Sequence, residues 1–263
     1  MLRYGISNLV FDKVTKDVRN RLIESSQICD FAPTALYENW DAMPERLPSC
    51  PYQGFDMEIC SLQSLFFQLQ GASLLQDEAG FQIIERQINR LVRAAIHSGA
   101  KSLIFGSPGT RKHMTPPIAL PELHSRISRL ADVCAHAGML LCFEVNSPKF
   151  GTEFLVSNSE LLDLLATMEH TGLGLHLDLG QMSEAGEDIP KLLKHTSGQL
   201  SHLHLSAPSF DLSPERMPLY VDVIAELKIL GQPVDVILEV QSLAQGEEST
   251  LLSMTEELAQ ACA

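Results

Sequence analysis

The chain has 263 residues, 45% hydrophobic and 6% aromatic, which suits one large α/β domain of the size that barrels of roughly 250 residues reach. No apolar run approaches the roughly 18 residues a membrane span needs, and the opening stretch, broken by Arg3 and Asp12, does not read as a secretory leader. A formal net charge of −14 repels phosphate backbones and argues against a nucleic-acid partner.

In chain order, residues 3–7 form a short apolar strand, followed by a polar helix over residues 11–25. Residues 27–32 (QICDFA) are a second strand that stops at Pro33. A Pro-rich loop then runs past Trp40, long enough to be functional or to hold short helices. Residues 57–63 (MEICSLQ) are strand three. Residues 79–98 carry Phe81, Ile84, Ile88, Leu91 and Ala95 at helical spacing, and Gly99 closes that helix.

Strand four is 101–107, ended by Pro108 and Gly109, and a helix follows over 121–136 with Gly138 after it. Strand five is 139–145. The helix over 157–170 opens on Ser157 with Glu160 three residues on, a capping-box spacing. Strand six (173–179), a helix at 190–196, strand seven (199–206), a helix at 214–230, strand eight (234–240) and a last helix at 249–261 complete the pattern. Eight strand–helix alternations at about 30 residues each predict a parallel sheet that closes, a single (β/α)8 barrel over residues 1–263. An open doubly wound sheet would want a Gly-rich turn after strand one, where GISN stands. The cysteines, at 29, 50, 60, 134, 142 and 262, lack paired spacing, and Cys60, Cys134 and Cys142 lie in apolar runs. They read as reduced thiols of a cytoplasmic protein.

The chemistry gathers in the second half. Glu144 sits inside the apolar run LLCFEV, Asp178 in GLGLHLDLG, His204 in QLSHLHLS and Glu239 in VDVILEV. A carboxylate in a buried strand is costly unless something compensates it. One metal-competent group near the end of each of four strands therefore predicts a cation site at the barrel mouth. Three carboxylates and one imidazole suit Mn²⁺, Mg²⁺ or Co²⁺, with Zn²⁺ less typical. Side chains two apart along a strand share a direction, so Asn146 points with Glu144, His176 with Asp178 and His202 with His204. His176 and His202 read either as core histidines or as groups one layer down that hydrogen-bond a ligand. Glu144 and Glu239, from strands that are not neighbours, are placed to pass a proton on opposite sides of a substrate.

HLDLGQ, SHLHLS, FEVN and ILEV, together with DFAPTALYENW, CSLQSLFF and FGSPGTR, resemble in order and spacing the xylose-isomerase-like barrels, the sugar (phosphate) isomerase and epimerase group. The resemblance implies one divalent metal held by Glu144, Asp178, His204 and Glu239, with the two glutamates as the acid–base pair. It implies substrate contact by Arg111 in the strand-four loop, and Asp30 stands where many relatives have Glu. Gln181 replaces a histidine found three residues after the strand-six Asp in many relatives, which keeps a sugar contact but disfavours the multi-metal endonuclease branch. Ala207 replaces an acid common after strand seven.

The expected activity is thus a metal-dependent isomerase or epimerase of a small sugar, through an enediolate. A lyase, dehydratase or hydrolase on the same barrel is the alternative, and an endonuclease or a non-catalytic sugar-binding barrel is disfavoured. No lysine ends a strand, so no Schiff base has a candidate. No Gly-rich phosphate cradle follows strands seven or eight, which favours an unphosphorylated substrate. Trp40 and Phe66 read as packing or as sugar-stacking rings, His113 and His124 as surface residues. No membrane partner is expected, and assembly into a homo-oligomer is left open.

Overall fold

The computed structural model describes residues 1–112 and 117–263, so that His113 lies outside the described residues. Eight parallel strands close into one barrel in sequence order: β1 (Arg3–Ser7), β2 (Ile28–Phe31), β3 (Glu58–Leu62), β4 (Ser102–Phe105), β5 (Leu140–Phe143), β6 (Leu173–Asp178), β7 (Leu200–Leu205) and β8 (Asp235–Leu238). The expected (β/α)8 architecture is the one observed. Around it lie α1 (Lys16–Glu24), α2 (Glu78–Ala95), α3 (Leu120–His136), α4 (Asn158–Met168), α5 (Leu179–Glu184), α6 (Ile189–His195), α7 (Met217–Leu230) and α8 (Glu248–Cys262). None of the described helices is long and apolar enough to cross a membrane.

The helices form where the apolar period and the caps predict. Asp77 accepts from the Gly80 amide to start α2, and Ser157 accepts from the Glu160 amide to start α4. The large core lies between helices and barrel wall and includes Phe81, Ile88, Leu130 and Leu227. Ile28, Cys60 and Ile237 form a small separate apolar cluster. Ile28 and Ile237 precede Asp30 and Glu239 by two residues, so this cluster lies one layer deeper than those carboxylates. All six cysteines are free.

Two local features differ from the expectation, and the long loop holds short helices as expected. The first helix begins at Lys16 because Asn8–Val10 turn as a 3-10 helix, with Ser7 capping the Leu9 amide. The long Pro-rich loop holds two 3-10 turns, Pro33–Ala35 and Trp40–Ala42. An extra helix, α5, starts directly at the end of β6, with Asp178 as its N-cap. Trp40 is buried and donates from Nε1 to the Phe67 carbonyl at 2.8 Å. His124 is half-buried on α3.

Candidate active site

At the C-terminal ends of the strands lies a cleft of about 530 Å³, where barrels of this architecture carry their ligands. Glu144, Glu239, Asn146, Gln241 and Gln63 line its floor, and Phe66, Phe67, Phe150 and Phe210 its walls. Among the described residues, no lysine or arginine lines it. A wider hollow of about 910 Å³ lies against the outer face of α2 and holds none of the groups described below.

Backbone pairing sets the four expected ligand positions. Asp178 and His204 sit side by side in the β6–β7 register. Glu144 and Glu239 each follow a strand by one residue, yet their amides still donate to the neighbouring strand, to the carbonyls of Phe105 and Leu205 at 3.2 and 3.1 Å. The ladder thus runs one residue further and keeps both side chains on the barrel side.

Three side chains then share one arrangement, with one polar atom tethered and the other bare. Asp178 Oδ1 accepts from the Gln181 amide and from Ser206 Oγ, each at 2.7 Å. Glu239 Oε1 accepts from Gln241 Nε2 at 3.2 Å. His204 Nε2 lies 2.6 Å from Asp30 Oδ2. The atoms left over, Asp178 Oδ2, Glu239 Oε2 and His204 Nδ1, are buried and have no hydrogen-bond partner. They face one another. His204 Nδ1 is 3.0 Å from Glu239 Oε2 and 3.6 Å from Asp178 Oδ2, close enough to attract but misaligned for a hydrogen bond. All three atoms lie within 4.8 Å of each other, a span that a single cation bridges.

Buried acceptors facing buried acceptors are costly unless a proton or a metal cation joins them. The electrostatics of the site run in the same direction. Burial would depress the His204 pKa, but Glu239, Asp178 and Asp30 outweigh it and hold the imidazole well above its ordinary value. Burial, then the charges of Asp178 and Glu239, push Glu144 up to about 8. The residues present therefore fit a divalent cation, bound through two carboxylate oxygens and one imidazole nitrogen.

Glu144 stands apart from that trio. Its Oε1 accepts from Asn146 Nδ2 at 2.6 Å, and its Oε2 lies against Gly106, where an added Cβ would come within 2.9 Å of it. Asn146 in turn accepts from Arg111, which is fully buried and also donates to the Gly106 carbonyl at 2.8 Å and the Phe154 carbonyl at 3.3 Å. Arg111 does not line the cleft, and burial lowers its pKa to about 10. It orders Asn146 and the loop rather than reaching the cleft.

The remaining expected contacts do not line the cleft. Asp30 is fully buried, and the contact with His204, with help from His202 and Ser61, outweighs burial and lowers its pKa. His176 and His202 are 1% exposed, with their Nδ1 atoms 3.0 Å apart, and burial lowers both, His202 to about 4. Gln181 is also buried and accepts from the Ser147 amide at 2.8 Å. Sequence reasoning missed Ser61, Ser206 and Gln241. The alternation that paired Asn146 with Glu144 equally pairs Ser206 with His204 and Gln241 with Glu239, so two of the three were within reach of it.

Residues 52–241 match the family described as xylose isomerase-like TIM barrel. The chain belongs to this family. Solved structures with the same fold include 3-keto-D-glucoside 4-epimerase YcjR from E. coli (TM-score 0.74, 12% identity, 99% of this chain and 100% of that one). D-allulose 3-epimerase from Methylomonas sp. aligns at TM-score 0.69 and 16% identity, over 99% of this chain and 95% of that one. A family 2 AP endonuclease from Brucella melitensis aligns at TM-score 0.72 and 15% identity, over 95% of this chain and 97% of that one. Among curated proteins no sequence matches. At such identities the likeness of this xylose isomerase-like barrel to its neighbours is one of fold.

Proposed function

We propose that this protein is a divalent-cation-dependent isomerase or epimerase of a small, unphosphorylated sugar or keto-sugar. The observation that carries the reading is the convergence of three bare buried atoms, Asp178 Oδ2, His204 Nδ1 and Glu239 Oε2, under a cleft that Glu144 also enters. Epimerases among its fold neighbours support the same reading.

A cation held by Asp178, His204 and Glu239, with Glu144 as the fourth group, would polarise a sugar carbonyl and stabilise the enediolate formed when the adjacent carbon loses its proton. Mn²⁺, Mg²⁺ or Co²⁺ suits the oxygen-rich set. The rest falls to the chain's own residues. Glu144 and Glu239 rise from β5 and β8, opposite enough for one to take the proton from carbon and the other to return it. The Asn146 amide holds Glu144 Oε1, which leaves Oε2 as the oxygen to move a proton. Gln63, Asn146 and Gln241 offer hydrogen bonds to hydroxyls, and the phenylalanine walls pack on carbon-bearing sugar faces and exclude water.

The absence of Lys and Arg from the lining favours a neutral substrate over a sugar phosphate. The same feature, with a net charge of −14, opposes the nuclease reading that the endonuclease neighbour raises. The test is incubation of Mn²⁺-loaded protein with a panel of ketoses in deuterated water. Deuterium entering one carbon, with an epimer or aldose forming, is the expected result; elimination products, or no exchange with any ketose, would sink the assignment.

A further inference from the structure

Under the three bare atoms lies a run of polar side chains from β2, β3, β6 and β7: Asp30, Ser61, His176, His202 and His204, each no more than 1% exposed. We propose that Asp30 is the positioning residue of the cation site. It keeps a hydrogen of His204 on Nε2, so that Nδ1 is the nitrogen that gives itself to a cation, and it is itself held by a one-way hydrogen-bond chain starting at His176. The role rests on the cation reading of the mouth.

Each proton in the chain follows from the one before. An ionised carboxylate only accepts, so the 2.6 Å contact of Asp30 Oδ2 requires a hydrogen on His204 Nε2. Asp30 Oδ1 lies 2.8 Å from Ser61 Oγ, which commits the single serine hydrogen to that bond. His202 Nε2 lies 2.9 Å from the same Ser61 oxygen and must therefore donate to its lone pair. A second hydrogen on His202 would create a buried cation whose nearest carboxylate oxygen, Asp30 Oδ2 at 3.9 Å, is already engaged by His204. His202 Nδ1 is thus bare, and His176 Nδ1, 3.0 Å away, supplies the hydrogen. The run ends at His176 Nε2, which has no hydrogen-bond partner.

The backbone supports the same assignment. Among the described strands the ladder slips register at two places, Cys29/Asp30 and Leu175/His176. Both adjoin members of the run, as expected of irregularities that re-aim a side chain. Nitrogens of His176, His202 and His204 also approach within 4.8 Å of one another. They do not make a second cation site, because the facing Nδ1 atoms of His176 and His202 are used on each other. A carboxylate behind a metal-binding imidazole fixes its ring and strengthens its free nitrogen as a donor of electrons.

Two measurements test this. Metal-free protein labelled with ¹⁵N at histidine, read by two-bond ¹H–¹⁵N correlation, is expected to show hydrogen on Nε2 alone of His202 and on Nδ1 alone of His176. The reverse pattern, or an exchanging mixture, overturns the chain whether or not any variant folds. Calorimetric titration with Mn²⁺ is expected to show Asp30→Asn weakening affinity about 10- to 100-fold, and Ser61→Ala a smaller loss. Wild-type uptake with unchanged affinity in Asp30→Asn overturns the positioning role alone. A wild-type protein that takes up no Mn²⁺ sinks the cation reading of the mouth, and this role with it.

Discussion

Two adjacent layers of the barrel hold similar side chains in opposite conditions. In the upper one, Asp178, His204 and Glu239 each keep one atom tethered and leave another buried without a partner. In the lower one, every polar side-chain atom of Asp30, Ser61 and His202 is engaged, and His176 Nε2 at the end of the run is the exception. Composition does not separate the layers, since both contain Asp and His. Satisfaction does: a buried polar group with its bonds made supports the fold, whereas several left bare and facing each other form a site for something else.

Substitutions should therefore split by layer. The largest effect is expected from Glu144→Gln, which removes the proposed proton carrier but leaves the trio intact. Solvent exchange into substrate should fall by about 10³-fold while Mn²⁺ still binds, and a variant with full exchange would remove Glu144 from the acid–base pair. Next comes Asp178→Asn, which keeps a side chain able to cap α5. Mn²⁺ affinity should drop by about 100-fold or more, yet the melting temperature in chelator should stay level or rise, because one of the mutually repelling carboxylates is gone. A marked loss of stability in chelator would show that the upper layer is structural after all.

The lower layer should behave in the opposite way. His202→Ala leaves His176 Nδ1 without a buried partner and takes one of two away from Ser61, which keeps Asp30, and should cost about 1–3 kcal/mol of stability in chelator, measured by denaturant unfolding. A neutral outcome would remove the contrast between the layers.

The smallest effect is a slope with pH. In chelator, Glu144, raised to about 8 by burial and by Asp178 and Glu239, keeps a proton that the unfolded chain has lost, so its contribution to stability falls as pH climbs toward 8. His204, held above its ordinary 6.5 by its carboxylates in spite of burial, acts in the same direction above that pH. His202, lowered to about 4 chiefly by burial, opposes them only below 6.5. The melting temperature should thus decline from about pH 6.5 to 8 in chelator. With saturating Mn²⁺ the slope should flatten or reverse, since binding displaces those protons. Identical slopes with and without Mn²⁺ would separate the cation from these groups.

Much of this was legible from the chain because local patterns carried it. The alternation of apolar runs with helical periods specified the barrel, and a charged residue interrupting an apolar run marked Glu144, Asp178 and Glu239. The pairing of Asp30 with His204 was not legible: the two are 174 residues apart and meet only across the closed barrel. Arg111 was legible as a cation in the right loop, but its burial depends on how residues 146 and 154 fold over it. The helix directly after Asp178 escaped notice because LGQMSE is too short to show a period, and its start is signalled only by the capping carboxylate.

Gly106 carries a consequence for the placement of Glu144. Glu144 rests on its bare backbone, where even a methyl group would intrude to 2.9 Å of the carboxylate. An alanine at that position would push the carboxylate oxygen off the glycine, toward or away from the trio. One methyl group, placed outside the proposed ligand set, would thus be enough to change where Glu144 rests.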